Sequence, residues 1–303
     1  MNVKAQNVTA KEQLKTKFIV NPIAGTGKQK DISRNIERLI DKEKFSYDII
    51  FTDSPNHATK ITQDAINNNY DLVIAVGGDG TVSECATALI GSETALAVIP
   101  CGSGNGFAYH FKVKRKINDA LQELNNNTIK YIDSCEANNI PFVNVSGIGF
   151  DAHIANLFAS TKKRGFFSYI KLTLKELSYQ AQEYTIEYNN TRKTLHAFAI
   201  VFANATQYGN DAEIAPNAKV DDGLIDFIII RKFPNLKIPL FALDVLRGRT
   251  HLNKNVRVIK SKEMRIYTKQ PFAHLDGEIK HFNNPIHVKI SSKKLKILMP
   301  NEI

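Results

Sequence analysis

Between residues 17 and 99, short apolar runs alternate with segments of helical period, and no other feature constrains the fold as tightly. Residues 17–21, 47–52, 71–76 and 96–99 read as strands. Residues 31–44 carry Ile32, Ile36, Leu39 and Ile40 at helical spacing, and 57–69 and 82–90 read as two further helices. Strands separated by helices imply a mostly parallel sheet, because a parallel neighbour is reached only through a crossover. Each strand ends in a turn.

From about residue 129 the texture changes to closely spaced strands at 129–133, 142–146, 184–188, 197–203, 224–230, 256–259 and 264–268. Helices are expected over 166–179 and 235–246, and a last strand over 287–299. A chain of 303 residues suits two lobes. The expectation is an α/β N-terminal lobe over residues 1–131 and an antiparallel β-rich C-terminal lobe over 132–291. No repeat or low-complexity linker separates them, so the lobes should pack closely.

Lys and Arg number 40 against 30 Asp and Glu, a net charge of +10 that favours anionic partners: a nucleotide, a phospholipid surface or nucleic acid. No helix-turn-helix, RRM or zinc-finger signature supports nucleic acid. No apolar run approaches the ~20 residues that span a bilayer, so membrane contact is expected to be peripheral. Cys85, Cys101 and Cys135 form neither a disulfide framework nor a zinc ribbon, which fits a reducing cytosol. The histidines include no H-E-x-x-H pair.

Gly77-Gly78-Asp79-Gly80-Thr81 lies between a strand and a helix, where free amides can approach a phosphate. A polyphosphate would repel Asp79 unless that carboxylate holds a divalent cation or accepts a proton. An ordinary strand-to-helix turn with Asp79 as a cap explains the same residues. Pro100-Cys101-Gly102-Ser103-Gly104-Asn105-Gly106 follows another strand, with Ser103 and Asn105 as neutral hydrogen-bonding groups. Asn21-Pro22-Ile23-Ala24-Gly25-Thr26-Gly27-Lys28 fails the P-loop spacing because Pro22 stands where glycine is needed, and Phe107 breaks a dinucleotide fingerprint.

Asn-Pro-x-x-Gly, Gly-Gly-Asp-Gly-Thr and Pro-x-Gly-Ser-Gly-Asn, in this order and spacing, resemble the diacylglycerol kinase catalytic family, which includes sphingosine and ceramide kinases and bacterial soluble lipid kinases. The central motif alone is shared with NAD kinases. The resemblance implies an active site in the cleft between the lobes, with residues 292–303 returning to the first lobe. It implies an ATP site lined by Asn21, Pro22, Gly25, Thr52, Gly77, Gly78, Gly80, Thr81, Glu84, Gly102, Ser103 and Asn105. Family members often carry Asn where this chain has Ser83, although Glu84 is retained; Ser103 and Gly106 stand where many bacterial diacylglycerol kinases have Thr and Asp, and there the text is closer to sphingosine-type kinases.

In the second lobe, strand alternation would put Asp276 and Glu278 of His274-Leu275-Asp276-Gly277-Glu278 on one face, each raising the other's pKa. Asp-Gly is equally a hairpin signal. The resemblance makes Asp276 the general base, with Glu278 beside it and Asp79 in a Mg²⁺ network. It also implies a structural Mg²⁺ on Lys219, Asp222 and Leu224, a segment that otherwise reads as an acidic turn. Asp151 is a candidate on the substrate side or an N-cap.

Residues 162–167, a Lys-Lys-Arg cluster followed by Gly and two Phe, suit an anionic membrane surface or a solvated charge run, as does the basic run at 112–116. The leading expectation is a cytoplasmic, peripherally membrane-associated kinase that transfers the γ-phosphate of ATP to a lipid hydroxyl. Diacylglycerol, giving phosphatidic acid, is the first acceptor considered, and a sphingoid base or ceramide the next. NAD kinase is the alternative enzyme, a catalytically inactive lipid-binding protein the alternative outside catalysis, and a homodimer is allowed.

Overall fold

The computed structural model describes residues 13–25, 31–161, 166–176 and 178–301. The first lobe runs β1 (Leu14–Val20), α1 (Ile32–Leu39), β2 (Phe45–Phe51), α2 (His57–Asn67), β3 (Leu72–Gly77), α3 (Asp79–Leu89), β4 (Ala95–Pro100), α4 (Gly106–His110) and α5 (Ile117–Glu123). Its strands are parallel in the order β2-β1-β3-β4. Every residue of β3 and β4 is buried, as strands covered on both faces must be. Ile19, Val73, Ala75 and Leu96 point towards Ile61, Val82 and Leu89 of α2 and α3. Phe18, Val20, Ile74 and Ile99 alternate with them and meet Ile32 and Ile36 of α1 and Leu121 of α5. Each Val, Leu, Ile or Phe among them, fully removed from water, contributes about 1.5–3 kcal/mol.

The second lobe comprises β5 (Asn127–Ala137), β6 (Ile140–Phe142), β7 (Val145–Gly149), α6 (Phe150–Ala159), α7 (Phe166–Lys175), β8 (Gln182–Tyr188), β9 (Thr191–Ala197), β10 (Ala199–Ala203), β11 (Ile225–Ile230), α8 (Ile238–Leu246), β12 (Val256–Ser261), β13 (Glu263–Thr268), β14 (Phe272–Leu275), β15 (Glu278–His281) and β16 (Ile286–Pro300). Six strands form an antiparallel sheet in the order β12-β11-β10-β7-β14-β15. It stacks on antiparallel β16, β13 and β8 across a core that includes Phe142, Phe202, Phe227, Ile186, Ile266 and Val288. The two-lobed α/β plus antiparallel architecture expected from the sequence is the one the chain adopts.

β16 belongs to both lobes. It starts antiparallel to β13, runs along β5, and lies parallel to β4 where Ile297 pairs with Leu96.

Three local differences from the sequence reading matter for the site. The run 197–203 breaks at Phe198, which separates β9 in one sheet from β10 in the other. The run 142–146 breaks at Val143 and Asn144, which leave the ladder. Residues 150–159, to which no element was assigned, form α6, with Gly149 rather than Asp151 at its N-cap.

Candidate active site

Three turns at the ends of the parallel strands meet backbone to backbone. A Cβ on Gly25, where φ is +61°, would lie 2.0 Å from the Cys101 carbonyl oxygen, and one on Gly102 would lie 2.5 Å from the Gly78 Cα. Only glycine permits contacts this close. Asn21 ties the first turn to the second by donating from Nδ2 to Thr81 Oγ1 at 3.0 Å, while its Oδ1 accepts the Ile23 N–H at 3.1 Å. Asn21, Gly25, Gly77, Gly78, Thr81 and Gly102 are thereby brought together, with Pro22 exposed beside them.

Asp79 opens α3, and its carboxylate accepts the N–H groups of Asn105 and Gly106, each at 2.8 Å. Burial pushes its proton affinity up, against the pull of those two amides. Asn105, in the left-handed region at φ 59°, accepts the Gly102 N–H at 2.8 Å and donates back to the Gly102 carbonyl. The 102–106 turn is therefore latched onto α3 by Asp79, leaving Ser103 exposed at its apex.

Asp276 belongs to the second lobe. It and Gly277, at φ 48° and 92°, form the two-residue turn joining β14 to β15, so the hairpin reading of Asp-Gly holds. The Asp276 carboxylate accepts the Val143 and Asn144 N–H groups, each at 2.9 Å, which are free because the strand breaks there. Its own N–H donates to Ser146 Oγ at 3.1 Å. Burial pushes the carboxyl pKa up to about 6; the two amides and His274 oppose that rise, and the charge of Asp79 adds to it. Glu278 lies past the turn, exposed and paired with Lys280 at 3.1 Å, so strand alternation does not put it on the Asp276 face.

The family of the diacylglycerol kinase catalytic domain matches residues 15–137. That of the YegS C-terminal NAD kinase beta sandwich-like domain matches residues 144–299, just over half of the chain. The chain belongs to the diacylglycerol kinase family. Among relatives of this kinase chain, the diacylglycerol kinase of Bacillus subtilis (strain 168) is 26% identical over 94% of the chain and 99% of its own length. A Chromohalobacter salexigens protein named "Probable lipid kinase YegS-like" is 31% identical over 62% of the chain and 63% of its own. The crystal structure of a diacylglycerol kinase from Bacillus anthracis shares the fold, with a TM-score of 0.73 at 24% identity over 96% of this chain and 98% of that one.

The remaining expected residues of this kinase fall into distinct places. Thr52 follows β2, its N–H donating to the Val20 carbonyl. Both Glu84 oxygens accept amides at the start of α2, from Asn56 at 3.1 Å and Ala58 at 3.0 Å, so the carboxylate caps that helix. Asp151 is buried, and its Oδ2 accepts the Tyr208 hydroxyl at 2.7 Å and faces His274 Nε2 at 2.9 Å. The Gly277 N–H donates to His274 Nδ1 at 3.2 Å, which assigns the proton to Nε2. Tyr208, Asp151 and His274 thus form a hydrogen-bonded line ending on the Asp276 turn.

Asp222 Oδ1 accepts the Leu224 N–H of its own turn, and Oδ2 lies 3.6 Å from Lys260 Nζ. That ammonium also reaches Asp226 Oδ1 at 2.9 Å and the Asn217 carbonyl at 3.0 Å. A divalent cation held by Lys219, Asp222 and Leu224 would have to displace that ammonium from Asp222. Among the described residues no three His, Cys, Asp or Glu gather as a metal site. Asp79 differs: each of its oxygens accepts one amide and keeps lone-pair capacity for a cation bound with phosphates.

Sequence reasoning gave no role to Tyr208, His274, Ser146 or Asn144. His274 opens the quoted Asp276 motif and Ser146 ends the expected strand 142–146, whereas Tyr208 lies far along the chain from Asp151, with nothing periodic to mark it. Asn144 Oδ1 is buried beside the Asp276 latch without a hydrogen-bond partner. Residues 162–165 of the expected basic and aromatic cluster lie outside the described residues, and among the described residues no helix is long and apolar enough to cross a membrane.

Proposed function

We propose that the chain transfers the γ-phosphate of ATP to the hydroxyl of a membrane lipid, with diacylglycerol as the first acceptor and a sphingoid base or ceramide as the next. The observation that carries this reading is the Asp276 carboxylate, fixed by two backbone amides and pushed up to about 6, with the charge of Asp79 acting on it. A base for an alcohol needs a fixed carboxylate with proton affinity above the ordinary aspartate range. Asp276 takes the hydroxyl proton as the lipid oxygen bonds to the γ-phosphorus; the bond to the bridging oxygen breaks and ADP leaves. The proton then passes from Asp276 to water.

The amides and glycines around Gly25, Gly78 and Gly102 let phosphate oxygens approach the backbone. Mg²⁺ bound with ATP beside Asp79 would spread the phosphate charge. The line from Tyr208 through Asp151 to His274 holds the Asp276 turn in place. We further propose that residues 1–131 with 292–303 serve the nucleotide and 132–291 the lipid.

The test is transfer of labelled γ-phosphate from ATP to a panel of diacylglycerol, sphingosine, ceramide and polyprenol, with NAD alongside. The expected result is a labelled lipid, lost in Asp276→Asn while ATP binding persists. Label on NAD and on no lipid would overturn the lipid reading, and full activity in Asp276→Asn would remove the base.

A further inference from the structure

Helix α8 is apolar on two sides and covered on one. Its inward side chains, Phe241 and Val245, pack on the outer face of the six-stranded sheet, where Phe241 meets Phe233 at a ring separation of 5.1 Å. None of its residues is fully buried. Leu236, just before the helix, is 93% exposed, and Leu240, Leu243 and Leu246 are 61%, 38% and 50% exposed. Spacings of four and three residues put Leu236, Leu240 and Leu243 on one stripe, with Leu246 at its margin. A contiguous apolar stripe left exposed on a helix marks a surface that binds something.

The chemistry of the surroundings selects what binds there. Residues 231–258 hold seven lysines and arginines against one acid, Asp244. Arg231, Lys237, Arg247, Arg249 and Lys254 are exposed, while Asp244 is engaged by Asn253 at 2.7 Å. Leucines on one stripe with a cationic border match an interface of acyl chains beneath anionic headgroups. A second copy of the chain would bring the same positive border against itself.

The patch also connects to the reaction centre. The Glu213 N–H donates to the Val245 carbonyl of α8, and five residues earlier Tyr208 bonds to Asp151. Five residues span at most about 18 Å, which bounds the distance from Glu213 to Tyr208, the first member of the line that ends on the Asp276 turn.

We propose that the leucine stripe of α8 with its arginine and lysine border is a docking surface for an anionic lipid bilayer. Its purpose rests on the lipid-kinase reading; the docking itself does not.

Sedimentation with phosphatidylcholine vesicles, with and without phosphatidylglycerol, tests it. The full chain should bind vesicles containing phosphatidylglycerol, less as salt rises. Leu240→Glu with Leu243→Glu should weaken that binding at least about tenfold. The same variant should lose activity on vesicle-embedded lipid yet retain it on a short-chain, water-dispersed diacylglycerol. Vesicle binding undiminished in the variant overturns the proposal. So does a wild-type chain that ignores vesicles but self-associates through these leucines in sedimentation velocity. Leucine-dependent vesicle binding with no lipid phosphorylated supports the docking and sinks the kinase reading alone.

Discussion

The negative charge of Asp79, at the head of α3, raises the proton affinity of Asp276, at the hairpin turn of the second lobe. Each carboxylate is held in the same manner, by two successive backbone amides: Asn105 and Gly106 for one, Val143 and Asn144 for the other. The site therefore sets two fixed acids, one from each lobe, in a shared field.

On the proposed mechanism Asp276 accepts a proton only when ionised, and its pKa is pushed up to about 6. The rate at limiting substrate should climb with pH up to about 6 and then level off. The folded chain binds this proton more tightly than the unfolded chain. The associated stability is therefore full below the ordinary aspartate range and is lost as pH rises through about 6. Asp79→Asn should move the carboxyl titration of Asp276 downward, as read by carbon NMR. An unmoved titration would deny the coupling.

Tyr208→Phe removes one donor to Asp151 and leaves His274 as its partner. The cost should be about 1 kcal/mol, or a kcat about fivefold to tenfold lower, with KM for ATP unchanged. A change in KM for ATP alone would place Tyr208 with the nucleotide instead.

Gly80 and Gly25 should respond oppositely to alanine. An added Cβ at Gly80 meets nothing within 4 Å, whereas at Gly25 it meets the Cys101 carbonyl at 2.0 Å. Gly25→Ala should destabilise the fold by upwards of about 2 kcal/mol. Gly80→Ala, inside α3, should stabilise it by up to about 1 kcal/mol. Thermal melts with and without ATP separate the effects: a more stable Gly80→Ala that binds ATP worse shows that the glycine is there for the ligand.

Glu84→Ala should lower stability by about 1 kcal/mol through loss of the α2 cap, with ATP affinity changed less than by Gly78→Ala. Unchanged melting with lost ATP binding would put the carboxylate on the nucleotide.

Lys260→Met leaves Asp226, 3% exposed, without its ammonium. Stability should fall by about 2 kcal/mol, less than a fully buried pair would cost because Lys260 reaches solvent. The wild-type melting temperature should ignore millimolar Mg²⁺, whereas the variant should regain stability when Mg²⁺ is added. Equal Mg²⁺ stabilisation of both proteins would restore a divalent site at Asp222.

The first lobe was legible because its strands are apolar on both faces and its helices carry a clear stripe, so period and length agree. The second was legible as strands but not in its breaks. Phe142 to Ser146 reads as one strand because nothing in Val143-Asn144 opposes it locally; the distant Asp276 carboxylate takes those two amides from the ladder. The polar β9 gave little alternation because it is a largely exposed edge strand. Within the site, the glycine turns were visible as text, since backbone contact demands glycine. Glu84 could be named but not placed, because its partners lie across a helix–helix contact that no spacing reports.

β16 is threaded through the molecule like a spine, and its pairing with β5 slips register between Ile290 and Lys294. Because this one strand is stitched into both halves, a continuous hydrogen-bonded ladder rather than a slack tether joins them. The same threading delays assembly during synthesis, since the edge of β4 stays bare until β16 has been made.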